Sequence, residues 1–285
     1  MISTSFDYEK PQTLEAALSL LVEHGDDAKL LAGGHSLIPL MKLRLSEPKI
    51  LIDIASIPEL HGITADENVI TIGAATTHTE IASSDLLKKK AIILAETAGG
   101  IGDVQVRNHG TIGGSLSHAD PAADFPAVMI ALNATIIIVG PSGERRVNAE
   151  DFFQDFLTVD IASNEILIAV EFEENLIAAY AKLPQRASRY ALVGTAVSLT
   201  ITNQKCTAVR VAITGASSHA RRLPAVENAL INNILNPETI AAACEISGNE
   251  LSRVSDDIHG SEEYRRAMIK VFTKRALLLA LQRAN

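Results

Sequence analysis

The apolar positions along the first half of the chain switch repeatedly between a helical and an extended period, and each switch marks an expected element. Thr13 suits a helix N-cap, with Leu14, Ala17, Leu18, Leu21 and Val22 on one helical face and Gly25 where such a helix stops. Short apolar runs at 29–32, 50–54 and 69–73 read as buried strands; the first ends at Gly33 and Gly34, and Pro39 suits the first turn of a short helix. Residues 86–98 and 122–132 read as helices, and 134–139 as a strand closed by a turn from Gly140 to Gly143. From Glu165, the residues Ile166, Ile168, Val170 and Phe172 alternate with Leu167, Ala169 and Glu171, a strand that ends the first unit. Runs at 178–183, 191–200 and 209–214 are spaced like a three-stranded antiparallel sheet, and 224–230, 237–247 and 261–282 are helical by pattern. The change of pattern places a boundary near Ile177, giving domains 1–177 and 178–285.

Composition narrows the function classes. A formal net charge of −9 over 285 residues provides no global basic field, which argues against nucleic acid or an anionic membrane as partner. Two cysteines, Cys206 and Cys244, are too few for a disulfide framework or for an iron–sulfur cluster, which takes four thiolates. Tryptophan is absent, so few aromatic residues are available to stack on a ligand. The first residues lack the basic-then-apolar pattern of a signal peptide, and the apolar stretch 127–139 is short of a membrane span and interrupted by Asn133 and Thr135. A cytoplasmic protein without a transmembrane segment is expected.

Most enzyme motifs are missing: there is no P-loop, no nucleophile elbow and no His-Glu-x-x-His. Gly100 and Gly102 only imitate a dinucleotide fingerprint, because the third glycine is lacking and a helix, not a strand, precedes them. His35, His109 and His118 have neither cysteine partners nor paired-histidine spacing, so no metal site is expected. Asp120 before Pro121 reads as turn chemistry. Two glycine pairs remain, Gly33-Gly34 followed by His35 and Ser36, and Gly113-Gly114 preceded by Thr111 and followed by Ser115. Each has the ingredients of an anion cradle: glycines let backbone N–H groups converge and a ligand approach, while hydroxyls add donors. Ordinary tight turns would use the same residues, and the spacing alone leaves a pyrophosphate ligand and plain turns both open.

The segments Ala32-Gly-Gly-His-Ser-Leu-Ile-Pro-Leu-Met-Lys-Leu-Arg-Leu and Gly110-Thr-Ile-Gly-Gly-Ser-Leu-Ser-His-Ala-Asp-Pro-Ala-Ala-Asp resemble the two FAD-pyrophosphate loops of the flavoprotein (medium) subunits of molybdenum hydroxylases, and most of all those of the carbon monoxide dehydrogenase-like branch. The likeness spans nearly the whole chain. It implies an α+β architecture: a two-part FAD-binding domain of the vanillyl-alcohol-oxidase and p-cresol-methylhydroxylase type, then a smaller C-terminal domain with a three-stranded antiparallel sheet and helices.

By the same resemblance, Ala32, Gly33, Gly34, His35 and Ser36, with Thr111, Ile112, Gly113, Gly114 and Ser115, hold the pyrophosphate and nearby ribityl groups through N–H groups and hydroxyls. Ser115 departs from the Asn that many relatives carry there. Asp124 matches an acidic residue that binds ribityl or ribose hydroxyls, with a helix N-cap as its plain alternative, and Ile101 matches an apolar position near the adenine or ring system. Ile166 or Leu167 passes close to the isoalloxazine, where strand backbone can bond the pyrimidine edge. Lys182 matches a lysine near the N1–C2=O edge, where a positive charge raises the cofactor's potential. Tyr190 matches an aromatic lid over one ring face. No residue offers itself as a catalytic nucleophile or acid–base pair.

The function implied is electron transfer. Substrate is oxidised at a molybdopterin site on a large partner, electrons cross 2Fe–2S clusters on a small partner to FAD on this chain, and an external acceptor (quinone, NAD or oxygen) takes them up. A dimer of heterotrimers is the implied assembly, cytoplasmic or held at the inner face of the membrane through the complex. Two other readings stay open: a stand-alone FAD-dependent oxidoreductase, and a scaffold subunit that has lost its flavin.

Overall fold

The computed structural model describes residues 2–175 and 177–284; Leu176 beside the expected boundary, and the outer limits Met1 and Asn285, lie outside the described residues. Three small layers make up the N-terminal half. The first is a parallel three-stranded sheet of β1 (Asp7–Glu9), β2 (Ala28–Leu31) and β3 (Ile50–Asp53), in the order β1-β3-β2. Helix α1 (Leu14–His24) covers it. Thr13 caps α1 as expected, its hydroxyl accepting from Ala16 N at 3.2 Å, and Gly25 ends it at φ 52°. Ala17 and Leu21 face the small core shared with Ile50, Ile52, Ile54 and Ile57. After β2 the chain turns through both glycines into the short α2 (Leu37–Lys42).

The second sheet is antiparallel and uses β4 (Ile63–Asp66), β5 (Val69–Gly73), β6 (Thr135–Gly140), β7 (Gly143–Asn148) and, after the small hairpin β8 (Phe153–Asp155) and β9 (Thr158–Val159), β10 (Ile166–Glu173). Their order is β4-β5-β10-β6-β7, so the last strand of the domain enters its centre. Between β5 and β6 lies a run of helices: α3 (His78–Ser83), α4 (Asp85–Lys90), α5 (Ile92–Gly100), α6 (Val104–His109), α7 (Ile112–His118) and α8 (Asp124–Ala131). The helix expected over 86–98 is two helices, because Ala91 takes φ −155° and ψ 63° and breaks the run. Strand β10 is buried at its start on both faces, Ile166 in the small core and Leu167 in the large one, so the simple alternation expected there holds only beyond a bulge between Leu167 and Ala169.

The short α9 (Ala149–Phe152) joins β7 to the β8–β9 hairpin, and after β10 the C-terminal half builds a third sheet from β11 (Ala178–Pro184), β12 (Ala191–Thr202) and β13 (Lys205–Thr214), all antiparallel. The three expected strands are present, and the two-residue β14 (Arg221–Arg222) adds an edge. Helices α10 (Pro224–Leu230), α11 (Pro237–Cys244) and α12 (Glu262–Arg283) cover one face. The other face meets α8, every residue of which is buried. Arg210 Nε donates to Ile130 O at 2.9 Å and, with Arg222, grips Glu150 at 2.9 and 3.0 Å, so the halves join through polar contacts as well as core. Among the described residues no helix is long and apolar enough to cross a membrane.

Candidate functional site

The two glycine motifs, 77 positions apart at Gly33 and Gly110, meet in the fold. A methyl group added to Gly33 would lie 2.0 Å from the carbonyl oxygen of His109 and 2.9 Å from Cα of Gly110, so glycine is required there by close approach alone. Gly34 is required by conformation, with φ 70°. The rings of His35 and His109 stack across the junction at 5.5 Å and 19°. His35 Nδ1 also turns back onto Gly33 O at 2.9 Å, which closes the first loop on itself.

The loops differ in what they can donate. Among the described residues, the N–H groups of Gly33, Gly34, His35 and Ser36 have no acceptor within the chain, and Ser36 heads α2 without capping it. Four successive unpaired donors in a half-buried turn form an anion-binding concavity. In the second loop the N–H groups are mostly used: Ile112 donates to Thr76 O, Gly113 to Ala74 O, Gly114 to the Thr111 hydroxyl and Ser115 to Thr111 O. Ile112 is fully buried and Gly113 packs on Ala74, so both serve the core from below. That loop therefore offers the Thr111 N–H and the hydroxyls of Thr111 and Ser115, where the sequence suggested donors from all five residues.

Behind the second loop, His78 is 4% exposed and lies against Gly110, on which an added methyl would come within 2.9 Å of its ring. Its backbone N–H holds Gly110 O at 2.9 Å and its ring tilts onto Phe125 at 5.4 Å. Burial pushes its pKa down to about 4, helped by the positive fields of His35 and Arg107, so the ring is neutral and its Nδ1 finds no partner among the described residues. Arg107 in turn ties down the turn after α5, donating to Ile101 O at 2.9 Å and Gly102 O at 3.1 Å. Nothing in the sequence singles out His78, because it supports the loop through its main chain and its bulk.

The strand side is continuous with this cradle. Gly113 N bonds Ala74 O at 2.8 Å, and Ala74 N bonds Ile168 O at 2.8 Å. Pairing of β10 with β5 begins only at Ala169, so the Ile166–Leu167 stretch is paired with β6 on one edge and not with β5 on the other. Both side chains are buried, which leaves only their backbone to face a ligand.

At the domain junction, Asp124 is not an N-cap; it is the first residue of α8, and its carboxylate is 4% exposed. Tyr180 donates to its Oδ1 at 2.5 Å and Lys182 to its Oδ2 at 2.7 Å. Lys182 spends its other donors on Gly100 O at 3.0 Å and Arg189 O at 2.8 Å, so the ammonium is saturated inside the chain. Burial raises the Asp124 pKa, while Lys182 and Tyr180 pull it the other way. Ile101, the neighbour of Gly100, is half-buried against the large core. Tyr190 stands at the edge, 44% exposed, with its phenol pKa raised by partial burial and then by Asp120 and Asp124. Asp120 accepts from Ala122 N at 2.8 Å, the turn chemistry expected of it. A groove of about 800 Å³ beside α1, lined by Leu14, Leu18, Val22 and Pro141 among others, shares no residue with the two glycine loops, with β10 or with the Asp124–Lys182 cluster.

The residues present fit an extended dinucleotide: unpaired N–H donors and hydroxyls for a pyrophosphate, a free strand edge for a ring, and a largely buried lysine contributed by β11 of the C-terminal half. Comparison with known proteins agrees. Residues 4–172 match the family described as the FAD binding domain in molybdopterin dehydrogenase, and residues 178–280 match the CO dehydrogenase flavoprotein C-terminal domain. The chain is 38% identical to the 6-hydroxypseudooxynicotine dehydrogenase complex subunit alpha of Paenarthrobacter nicotinovorans, covering 99% of this chain and 96% of that one. It is 36% identical to the carbon monoxide dehydrogenase medium chain of Hydrogenophaga pseudoflava, covering 99% of both. A solved carbon monoxide dehydrogenase from the same organism superposes with a TM-score of 0.95 at 37% identity over 99% of each chain. A match of this extent, through both domains and with both glycine loops in contact, places the chain in the FAD-binding subunits of the molybdenum hydroxylases, an oxidoreductase family.

Proposed function

We propose that this chain is the electron-transfer subunit of a heterotrimeric molybdenum hydroxylase, with FAD held in the cradle described above. The observation that carries the reading is the row of four unpaired N–H groups from Gly33 to Ser36, set against the second glycine loop. These donors, with the Thr111 and Ser115 hydroxyls, would hold the pyrophosphate, and Ala32 continues the same turn. The backbone edge at Ile166 and Leu167 would meet the ring, with Ile101 at its apolar side and Tyr190 over one face. Lys182 brings a buried positive charge to the ring edge, offset by Asp124. FAD bound there supplies a carrier that accepts and releases electrons, which none of the chain's own side chains does. The chain's residues bind and orient it, and the domain boundary near Ile177 lets β11 supply Lys182 from the second domain.

The two cysteines, both buried, leave iron–sulfur clusters to a small partner and the molybdopterin to a large one, with a dimer of such trimers as the assembly. Quinone, NAD or oxygen would be the final acceptor, in the cytoplasm or at the inner face of the membrane. Substrate identity belongs to the large partner. In support, relatives named for 6-hydroxypseudooxynicotine, carbon monoxide and glyceraldehyde are 38%, 36% and 36% identical to this chain, although those compounds share no recognition chemistry.

The test is to purify the chain, record its visible spectrum, titrate it with FAD, and then co-express it with candidate partners and assay acceptor reduction. Uptake of FAD at one site, with reduction only when partners are present, is expected. Reduction by a small substrate without partners would favour the stand-alone oxidoreductase, and refusal of FAD would leave the scaffold.

A further inference from the structure

Tyr180 belongs to none of the expected ligand positions, yet it is tied to the site through Asp124. It stands two residues before Lys182 on β11, so both side chains leave the strand on the same face. They address different oxygens of one carboxylate, Tyr180 at Oδ1 and Lys182 at Oδ2. A carboxylate held by two donors from a rigid strand has its plane fixed. With Lys182 alone, the buried Oδ1 would lose its partner, a costly state, and the group would turn both oxygens toward the ammonium. That turn would draw Nζ away from Gly100 O and Arg189 O, the carbonyls that tie β11 to the end of α5 and to the loop carrying Tyr190.

The opposite strand is shaped for this tyrosine. Gly194 lies inside the long β12, paired in register with Lys182. Glycine is unfavourable in a strand interior and often marks close approach by another group. Here a methyl on Gly194 would lie 2.2 Å from the Tyr180 phenol oxygen and 2.9 Å from both its Cζ and Thr214 Cγ2, so the phenol oxygen is the tightest of three contacts. The absent side chain is the space in which the phenol reaches Asp124.

We propose that Tyr180 is a positioning residue of the cofactor site, fixing Asp124 and through it Lys182, and that Gly194 is the glycine that makes room for it. This rests on the FAD reading above. Tyr180 acts through Asp124 and needs no contact with the cofactor.

The test uses the full chain with Tyr180→Phe, Gly194→Ala and both together. The readouts are the thermal midpoint without FAD, the FAD dissociation constant, and the visible spectrum and midpoint potential of the bound cofactor. Tyr180→Phe keeps the ring and is expected to fold, to bind FAD about tenfold more weakly, the scale of one hydrogen bond to a charged group, and to shift the potential. Gly194→Ala should give the same cofactor phenotype and a lower thermal midpoint. In the double variant the clashing oxygen is gone, so part of the thermal loss is recovered and FAD binds no worse than in Tyr180→Phe alone. Tyr180→Phe with wild-type affinity, spectrum and potential would reduce Tyr180 to packing and overturn the proposal. Additive losses in the double variant would overturn the role given to Gly194. A wild-type chain that takes up no FAD overturns the cofactor reading itself, whereas a wild-type chain that binds FAD and a Tyr180→Phe chain indistinguishable from it overturn this assignment alone.

Discussion

Replacing Gly33 with alanine puts the contact between the two glycine loops to a direct test. The new methyl would lie 2.0 Å from His109 O, 2.7 Å from its carbonyl carbon and 2.9 Å from Gly110 Cα, all of them backbone atoms that no rotamer change can clear. An ordinary carbon–oxygen contact of about 3.2 Å or more requires the loops to part by roughly 1 Å. Overpacking of this kind costs about 1–3 kcal/mol, and each kcal/mol lowers the thermal midpoint of a chain this size by about 2 °C. Parting the loops also moves the four free N–H groups away from the Thr111 and Ser115 hydroxyls, so the FAD dissociation constant should rise more than tenfold. Gly34→Ala provides a contrast. Its φ of 70° carries a penalty of about 1 kcal/mol, while its nearest neighbours are side-chain atoms of Ile38 and Leu31 at 3.1 and 3.3 Å. Gly99→Ala is the control: nothing lies within 4 Å in α5, and alanine there should stabilise by about 0.5–1 kcal/mol. Thermal unfolding of the apo-chain and FAD fluorescence titration measure the three side by side. A Gly33→Ala chain with wild-type midpoint and affinity within twofold would refute the claim that the loops touch.

Three further outcomes follow from buried charge. The His78 pKa is lowered to about 4 from 6.5, so between those values the unfolded chain binds a proton that the folded chain does not; stability therefore falls as pH drops from 6.5 toward 4, by up to about 3 kcal/mol. Urea midpoints at pH 7, 6 and 5 should decline less steeply in His78→Gln. Asp124→Ala strands the Lys182 ammonium, whose side chain is 12% exposed, and should cost about 3–5 kcal/mol, whereas Lys49→Ala, from a solvent-exposed pair with Asp27, should stay within about 0.5 kcal/mol by chemical denaturation. Arg265→Ala removes a buried guanidinium that holds the carbonyls of Leu192 and Gly215 at 2.5 and 2.7 Å and Asp257 at 2.6 Å; hydrogen exchange in β12 and β13 should accelerate well beyond that in β5 and β6.

Local grammar was well written in the sequence. Thr13 and Gly25 bound α1, and the apolar runs at 50–54 and 69–73 became β3 and β5 nearly residue for residue. The glycine loops showed the ingredients of an anion cradle and equally of plain turns, and it was the family resemblance of the two long segments that chose between them. What stayed hidden depends on distant partners. The break at Ala91 has no proline or glycine to announce it. The engagement of the second loop's N–H groups by Ala74 and Thr76 depends on main-chain atoms that carry no residue signature. Lys182 matched a family position, but its saturation by Asp124, Gly100 and Arg189 needed three segments to converge. His78 and Tyr180 support the site from behind, and a supporting residue looks like any other core residue until its neighbour is known.

The helix α8, enclosed between both halves, also bears on how the chain is made. Its residues Phe125 to Ala131 are almost wholly inaccessible once β12 and β13 cover them. During synthesis that cover is absent until about 80 more residues have left the ribosome, an interval of roughly 4–16 s at common elongation rates. For those seconds a nascent chain carries α8 packed on α5, α7 and α9 but with the apolar face that meets β12 and β13 uncovered. Nascent chains stalled shortly after β10 should therefore recruit ribosome-associated chaperones and aggregate on release, while chains stalled after β13 should not.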